Sequence, residues 1–352
     1  MDASKENIAP PAETVETWKS ARLFVTDKFD SPPVILRIDD SIVGTLGNFS
    51  ASTGKAKSKK TFNVCAIVAA ALTNSTVLSY TVSLPPNKRK ILYVDTEQSP
   101  FHCLRLMNRI LKLSNLPTDT HPEQLVFLGL RRYATKDRLK KIEEAIYETE
   151  GLGLVVIDGI RDLAHDINSP GESTDLITKL MQWTDEQQIH IHVVLHLNKG
   201  DDNTRGHLGT ELNNKAETVL RIKVDEFDND TSIVESMFIR DRDFEPFAFR
   251  INTHSLPELI ENYQPQSIAK KKAFSYSEVS EEKHREALEA VFSIGEALSY
   301  GNLIEQLRSC YSAIGCECGI GKTKKLKQFL INKRMVIQGE DKLYRHNRDF
   351  YY

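Results

Sequence analysis

Residues Gly54-Lys55-Ala56-Lys57-Ser58-Lys59-Lys60-Thr61 match the pattern G-x-x-x-x-G-K-[ST] at every position but one. A chain that uses this pattern must place a strand before it and a helix after it, because the loop wraps its backbone N–H groups around phosphate oxygens. Both flanks fit. Gly47 to Thr53 reads as a short strand, and Thr61 to Leu72 is Ala-rich and apolar, as a helix buried against a sheet must be. Lys59 is the exception, standing where the pattern has its second glycine. That position takes dihedrals costing an ordinary side chain about 1 kcal/mol or more, so Lys59 predicts strain or a remodelled loop. A solvated lysine-rich turn is the alternative, and the downstream acids argue against it.

In such a loop Lys60 reaches the β and γ oxygens of a nucleoside triphosphate and the Thr61 hydroxyl faces Mg²⁺. The candidate nucleotide contacts are therefore Gly54, Lys55, Ala56, Lys57, Ser58, Lys59, Lys60, Thr61 and Phe62, and the implied cofactors are ATP and Mg²⁺. Two apolar runs that end in acids add to them. Leu154-Val155-Val156-Ile157-Asp158 reads as a buried parallel strand delivering Asp158 to the carboxyl edge of a sheet, where an acid can hold the metal with Thr61 through water. Ile91-Leu92-Tyr93-Val94-Asp95-Thr96-Glu97 reads the same way. If it lies beside the loop strand, Glu97 sits near the γ-phosphate and can activate water, the alternative being that Asp95 or Glu97 merely caps the helix starting near Pro100.

The chain has 352 residues, 40% hydrophobic, with a formal net charge of −3. Two domains, or one large one with an appendage, are expected, and any nucleic-acid contact must come from local patches. No apolar run approaches ~18 residues and no signal pattern opens the chain, which predicts a cytoplasmic protein without a membrane segment. Five cysteines are too few and too uneven for a disulfide framework, and Cys310, Cys316 and Cys318 lack a nearby fourth zinc ligand.

The organisation follows from composition. Residues 1–29 form a polar arm. Residues 30–262 alternate short apolar runs with helical patterns, which predicts an α/β fold with a mostly parallel, twisted, helix-flanked sheet. Strands are expected at Val34 to Ile38, Phe49 to Thr53, Ile91 to Asp95, Leu125 to Leu128, Leu154 to Asp158, His192 to His196, Val219 to Val224, Ile233 to Ile239 and Phe247 to Ile251. Helices are expected at Thr61 to Leu72, Pro100 to Leu113, Lys136 to Thr149 and Thr174 to Gln188. Residues 263–280 are Pro-, Ser-, Lys- and Gln-containing and read as a linker.

On these residues the chain resembles the RecA-like ATPases, in particular the branch of RepA-type hexameric helicases and DnaB-like helicases. The resemblance implies a RecA-like fold, with Glu97 as catalytic glutamate and Asp158 as second metal-site acid. It also makes His196, closing Val193-Val194-Leu195, a sensor of the γ-phosphate, unless it is a core histidine satisfied by a carbonyl. The segment holding Lys199 and Arg205 is similar to loops that hold single-stranded DNA, although it lacks stacking aromatics. Arg240 and Arg242, in Arg240-Asp241-Arg242-Asp243, resemble the basic pair that ring ATPases insert into a neighbour's site, the alternative being local pairing with the two aspartates.

The tail, residues 281–352, has three helical stretches and a hairpin and is similar to a winged helix. Lys322, Lys324, Lys325 and Lys327 on its third helix are candidate DNA contacts, or else a solvated face of a protein-docking module. Gly319-Ile320-Gly321-Lys322-Thr323 imitates a second phosphate loop, but Cys316 stands where its first glycine would be. The implied function is a DNA-associated, homo-oligomeric ATPase, with a hexameric ring as one form, acting in replication or mobilisation of a mobile element. A nucleotide-gated regulator that does not hydrolyse ATP and a small-molecule kinase are the competing classes.

Overall fold

The computed structural model describes residues 18–19, 21–197, 204, 206–261, 263, 279–314, 316 and 319–349, which fall into two compact units, residues 1–264 and 265–352. In the first unit the hairpin β1 (Val34–Ile38) and β2 (Ser41–Thr45) precedes β3 (Phe49–Gly54), which runs into the phosphate loop. There follow α1 (Lys60–Thr73), the short β4 (Thr76–Val77) and β5 (Tyr80–Val82), β6 (Lys90–Asp95), α2 (Pro100–Leu113), β7 (Leu125–Gly129), α3 (Thr135–Glu148) and β8 (Leu152–Asp158). Then come α4 (Pro170–Gln187), β9 (His190–His196), α5 (Gly206–Lys215), β10 (Thr218–Val224), β11 (Thr231–Ile239), β12 (Phe247–Ile251) and β13 (Pro257–Ile260).

Among the described residues nine strands form one sheet in the order β13-β12-β11-β10-β3-β9-β8-β6-β7. From β10 to β7 every neighbouring pair is parallel, and β11, β12 and β13 extend the sheet antiparallel. The fold is thus the α/β, mostly parallel, helix-flanked sheet expected. One strand differs. β1 was expected in that sheet, but it pairs antiparallel with β2 and β5 in a separate four-stranded sheet of order β2-β1-β5-β4.

Helices cover both faces. α1 and α2 pack on one side with Ile67, Leu106 and Ile110 against Tyr93, Val156 and Leu220. α3, α4 and α5 pack on the other with Ile146, Trp183 and Leu212 against Val155, Ile191 and Val219. The small sheet adds Ile35, Leu36 and Tyr80 to the first cluster, which explains why α1 is buried nearly all round and carries alanines rather than an amphipathic stripe. α4 starts earlier than its apolar spacing suggests, because Ser169 caps it from Glu172 N and Pro170 opens its first turn.

The second unit contains α6 (Glu281–Val291), α7 (Tyr300–Ala313), α8 (Ile320–Asn332) and the antiparallel pair β14 (Val336–Gln338) and β15 (Tyr344–His346). Leu288, Leu303, Leu307, Leu326 and Leu330 form its core. Within it His284 Nδ1 lies 2.6 Å from the Tyr311 hydroxyl, both groups buried. Leu298 and Tyr344 exchange backbone hydrogen bonds of 2.9 Å, which ties the start of α7 to the hairpin.

Candidate functional site

Parallel register brings the carboxyl ends of the central strands to one edge. Gly54 pairs with His196, Val194 with Asp158, and Asp158 with Asp95. The edge opens into a cavity of about 270 Å³ whose lining includes Lys60, Thr61, Glu97, Asp158 and His196. β6 does not lie beside the loop strand, since β9 and β8 intervene. Glu97 nevertheless joins the cavity because all four strands end at the same level.

The phosphate loop keeps the shape that its missing glycine would have had. Lys59 lies at φ 65° and ψ 28°, in the left-handed region, and Lys57 at φ 68°. Each such residue costs about 1–2 kcal/mol relative to glycine. Gly54 is a glycine for another reason: a Cβ there would lie 2.2 Å from the Ile222 carbonyl oxygen and 2.5 Å from Ser58 Oγ. The buried Lys60 amine donates to the carbonyls of Gly54 at 2.8 Å and Lys55 at 2.9 Å, so its Nζ is folded back over the loop. Burial pushes this amine down to about 8 against the pull of Asp158 and Glu97.

Asp158 Oδ2 accepts from Thr61 Oγ1 and from the Tyr93 hydroxyl, each at 3.0 Å. Burial, reinforced by the charge of Asp95, raises its carboxyl to about 6. A carboxylate held by a threonine hydroxyl at the loop's end is the donor set a hexahydrated divalent cation uses when bound through water, so the residues fit Mg²⁺. Tyr93, which stacks on Phe127 at 4.9 Å, was not anticipated from sequence, since a tyrosine inside an apolar strand carries no local sign of its partner.

The acid that ends β6 and the one two residues past it are engaged differently. Asp95 Oδ1 accepts from Glu97 N at 2.9 Å and Gln98 N at 2.6 Å, and its Oδ2 from Gln98 Nε2 at 2.8 Å, so Asp95 shapes the turn into α2. Glu97 is left to face the cavity. Its Oε1 lies 3.8 Å from His196 Nε2, an ionic contact when the imidazole is protonated, and that neighbour is the main influence holding its carboxyl below the usual range. Thr96 N and Oγ1 donate to the Asp158 carbonyl, each at 3.2 Å, which stitches β6 to β8. Gly159 sits at φ 105°, and a Cβ there would strike Thr96 Oγ1 at 2.1 Å. Two buried polar atoms at this edge, Ser58 Oγ and His196 Nδ1, have no hydrogen-bond partner among the described residues, as befits groups awaiting a polar ligand.

Arg240 and Arg242 are exposed and lie elsewhere. Ile239 pairs with Thr218, which pairs with Ser50, so Arg240 follows the amino-end edge of β10, a strand's length from its own phosphate loop. Arg240 donates to the Lys215 carbonyl at 3.0 Å. The aspartates adjoining the arginines are engaged with other groups: Asp241 accepts from Ile42 N at 2.8 Å, and Asp243 accepts from Ser236 Oγ and, at 2.9 Å, from Phe244 N.

Lys199 and Arg205 lie outside the described residues. On α8, Lys322, Lys324 and Lys325 are exposed, whereas Lys327 packs its amine 5.4 Å from the Tyr300 ring centroid and 5.6 Å from that of Tyr344. Thr323 is buried and donates to the Gly319 carbonyl at 3.2 Å, an ordinary helical back-bond, so this segment forms no second phosphate loop. No group of three metal-ligating side chains occurs among the described residues, and among them no helix is long and apolar enough to cross a membrane.

A family model described as AAA domain matches residues 17–202. Among curated proteins none matches the sequence. Among solved structures, the KaiC-like protein PH0186 from the hyperthermophilic archaeon Pyrococcus horikoshii OT3 is similar at 12% identity and a TM-score of 0.44, over 61% of this chain and 90% of that one. The RadB recombinase is similar at 14% identity and 0.43, over 60% and 90%.

Proposed function

The chain belongs to the AAA domain family, and on that premise we propose that it binds and hydrolyses ATP as a DNA-associated, homo-oligomeric motor of the RepA type. The observation that carries the reading is the convergence of Lys60, Thr61, Asp158, Glu97 and His196 on one cavity from four separate segments. Lys60 binds the phosphates, whose charge draws its amine off the Gly54 and Lys55 carbonyls. Thr61 and Asp158 hold the Mg²⁺, which when bound neutralises charge on the phosphates. Glu97 takes the proton of the attacking water and His196 orients that carboxylate. Because Lys59 adopts the dihedrals of the glycine it replaces, its presence does not by itself favour the non-hydrolysing alternative.

Arg240 follows the amino-end edge of β10, a strand's length from its own phosphate loop, and on this reading Arg240 and Arg242 serve another copy's site, which makes assembly a condition of turnover. The second unit is read as a winged-helix module whose exposed Lys322, Lys324 and Lys325 contact DNA phosphates, and Lys199 and Arg205 as contacts to single-stranded DNA. A role in replication or mobilisation of a mobile element accords with these parts. ATP hydrolysis measured with and without single-stranded DNA tests the reading, with Lys60→Ala as control. Turnover stimulated by DNA and lost in the variant supports it. ATP binding without turnover under all conditions overturns the motor.

A further inference from the structure

Lys59 does more than imitate a glycine. Its Nζ donates to the carbonyl oxygens of Asp230, at 2.6 Å, and Asn229, at 3.4 Å, in the turn between β10 and β11. That turn is itself braced. Asp225 Oδ1 accepts from Phe227 N at 2.7 Å and its Oδ2 from the Tyr263 hydroxyl at 2.7 Å, while Asp228 accepts from Asp230 N at 2.9 Å and Thr231 Oγ1 at 2.7 Å. A second tie runs alongside, from Ser232 Oγ to the Ser58 carbonyl at 3.4 Å. The Lys59 side chain thus runs from its left-handed backbone to this turn, while the Lys60 amine, one residue on, folds back onto the Gly54 and Lys55 carbonyls. Lys59 also helps hold the Asp228 carboxyl below its usual range, behind the larger effects of that carboxyl's hydrogen bonds from Thr231 and Asp230.

We infer that Lys59 is a positioning residue, a latch that fastens the phosphate loop to the braced β10–β11 turn so that the loop is already formed before nucleotide arrives. The inference rests on the reading of this loop as the ATP site. It makes a prediction of sign. A lysine merely tolerated at a glycine position is strained, so Lys59→Gly should tighten the loop and leave nucleotide binding equal or better. A latching lysine does the opposite: Lys59→Gly frees the loop, Lys59→Met frees it further by keeping the strained backbone without the amine, and Lys59→Arg preserves the tie.

The test is amide hydrogen exchange over residues 55–61 in the nucleotide-free full chain, followed by titration with ATP. Exchange at least tenfold faster in Lys59→Gly and Lys59→Met, with Lys59→Arg close to the parent, is the expected result. Exchange in Lys59→Gly equal to or slower than in the parent overturns the latch, whether or not the protein binds ATP. In the titration the latch predicts ATP affinity about tenfold weaker in Lys59→Met and restored in Lys59→Arg. Failure of the parent chain to bind ATP would instead remove the nucleotide reading and leave the exchange result to decide the latch.

Discussion

Ser52 donates its hydroxyl proton to His192 Nε2 across 2.8 Å in the middle of the sheet, and the direction of that bond is dictated from the far end of a chain of buried groups. His190 Nδ1 faces the Thr45 carbonyl at 2.9 Å, an oxygen that only accepts, so this nitrogen carries the proton. His190 Nε2 then accepts from Ser50 Oγ at 2.7 Å, Ser50 Oγ accepts from His192 Nδ1 at 2.8 Å, and His192 Nε2 is left to accept from Ser52. This arrangement pairs all four ring nitrogens with both imidazoles neutral, and both are fully buried.

Burial pushes His190 down to about 4 and His192 to about 3. The unfolded chain titrates these rings near ~6.5 and takes up protons first, so their contribution is fully present above that value and lost as pH falls from it toward 4. Linkage puts the loss at about 2 kcal/mol for each ring by pH 5. Urea unfolding at pH 7.5 and pH 5 should register it, and a His192→Gln variant should lose about half as much between the two.

Asp158 works in the opposite sense. Its folded value, about 6, lies above the ordinary carboxylate range, so the ionised group opposes folding above pH 6 and the penalty is relieved as pH falls through 6 toward 4. Asp158→Asn should therefore be more stable than the parent at pH 7.5 without Mg²⁺, by about 1–2 kcal/mol, while losing Mg²⁺-dependent ATP turnover. Thermal unfolding and an ATPase assay on the same preparation check both halves.

Glu97→Gln keeps the size of the side chain and removes the proposed base. It should bind ATP within about threefold of the parent and hydrolyse it at least ~100-fold more slowly. Near-normal turnover in this variant would remove Glu97 from the chemistry.

The arginines are tested by mixing. An Arg240→Ala, Arg242→Ala double variant should bind ATP yet lose ~1,000-fold or more in turnover. Combined with Glu97→Gln chains, which are also inactive alone, it should regain activity, because each chain supplies what the other lacks. A mixture as inert as its components would show that neither arginine acts across subunits.

Legibility in the sequence followed the range of the signal. β3, α1, β6 and β8 are local patterns, and the sequence located them to within two residues at either end. Asp158 and Glu97 were legible as strand-end acids because β-strand alternation and apolar runs are written residue by residue. The partner of β1 was not, since an apolar strand does not announce which sheet it joins, and β4 and β5, two and three residues long, are too short to stand out. Lys59 was read as a defect because the turn that holds its amine lies about 170 residues further along the chain. The division of labour between Asp95 and Glu97 is likewise a matter of which carboxylate finds backbone N–H groups, a choice two residues apart that no periodicity encodes.

On the proposed reading, the position of Arg240 at the amino-end edge of β10 makes dilution a control variable. If the arginines serve a neighbour's loop, a chain alone is idle however much ATP surrounds it. Specific activity then rises with protein concentration and levels off once every loop has a neighbour, so the amount of protein present decides whether the ATP it holds is consumed.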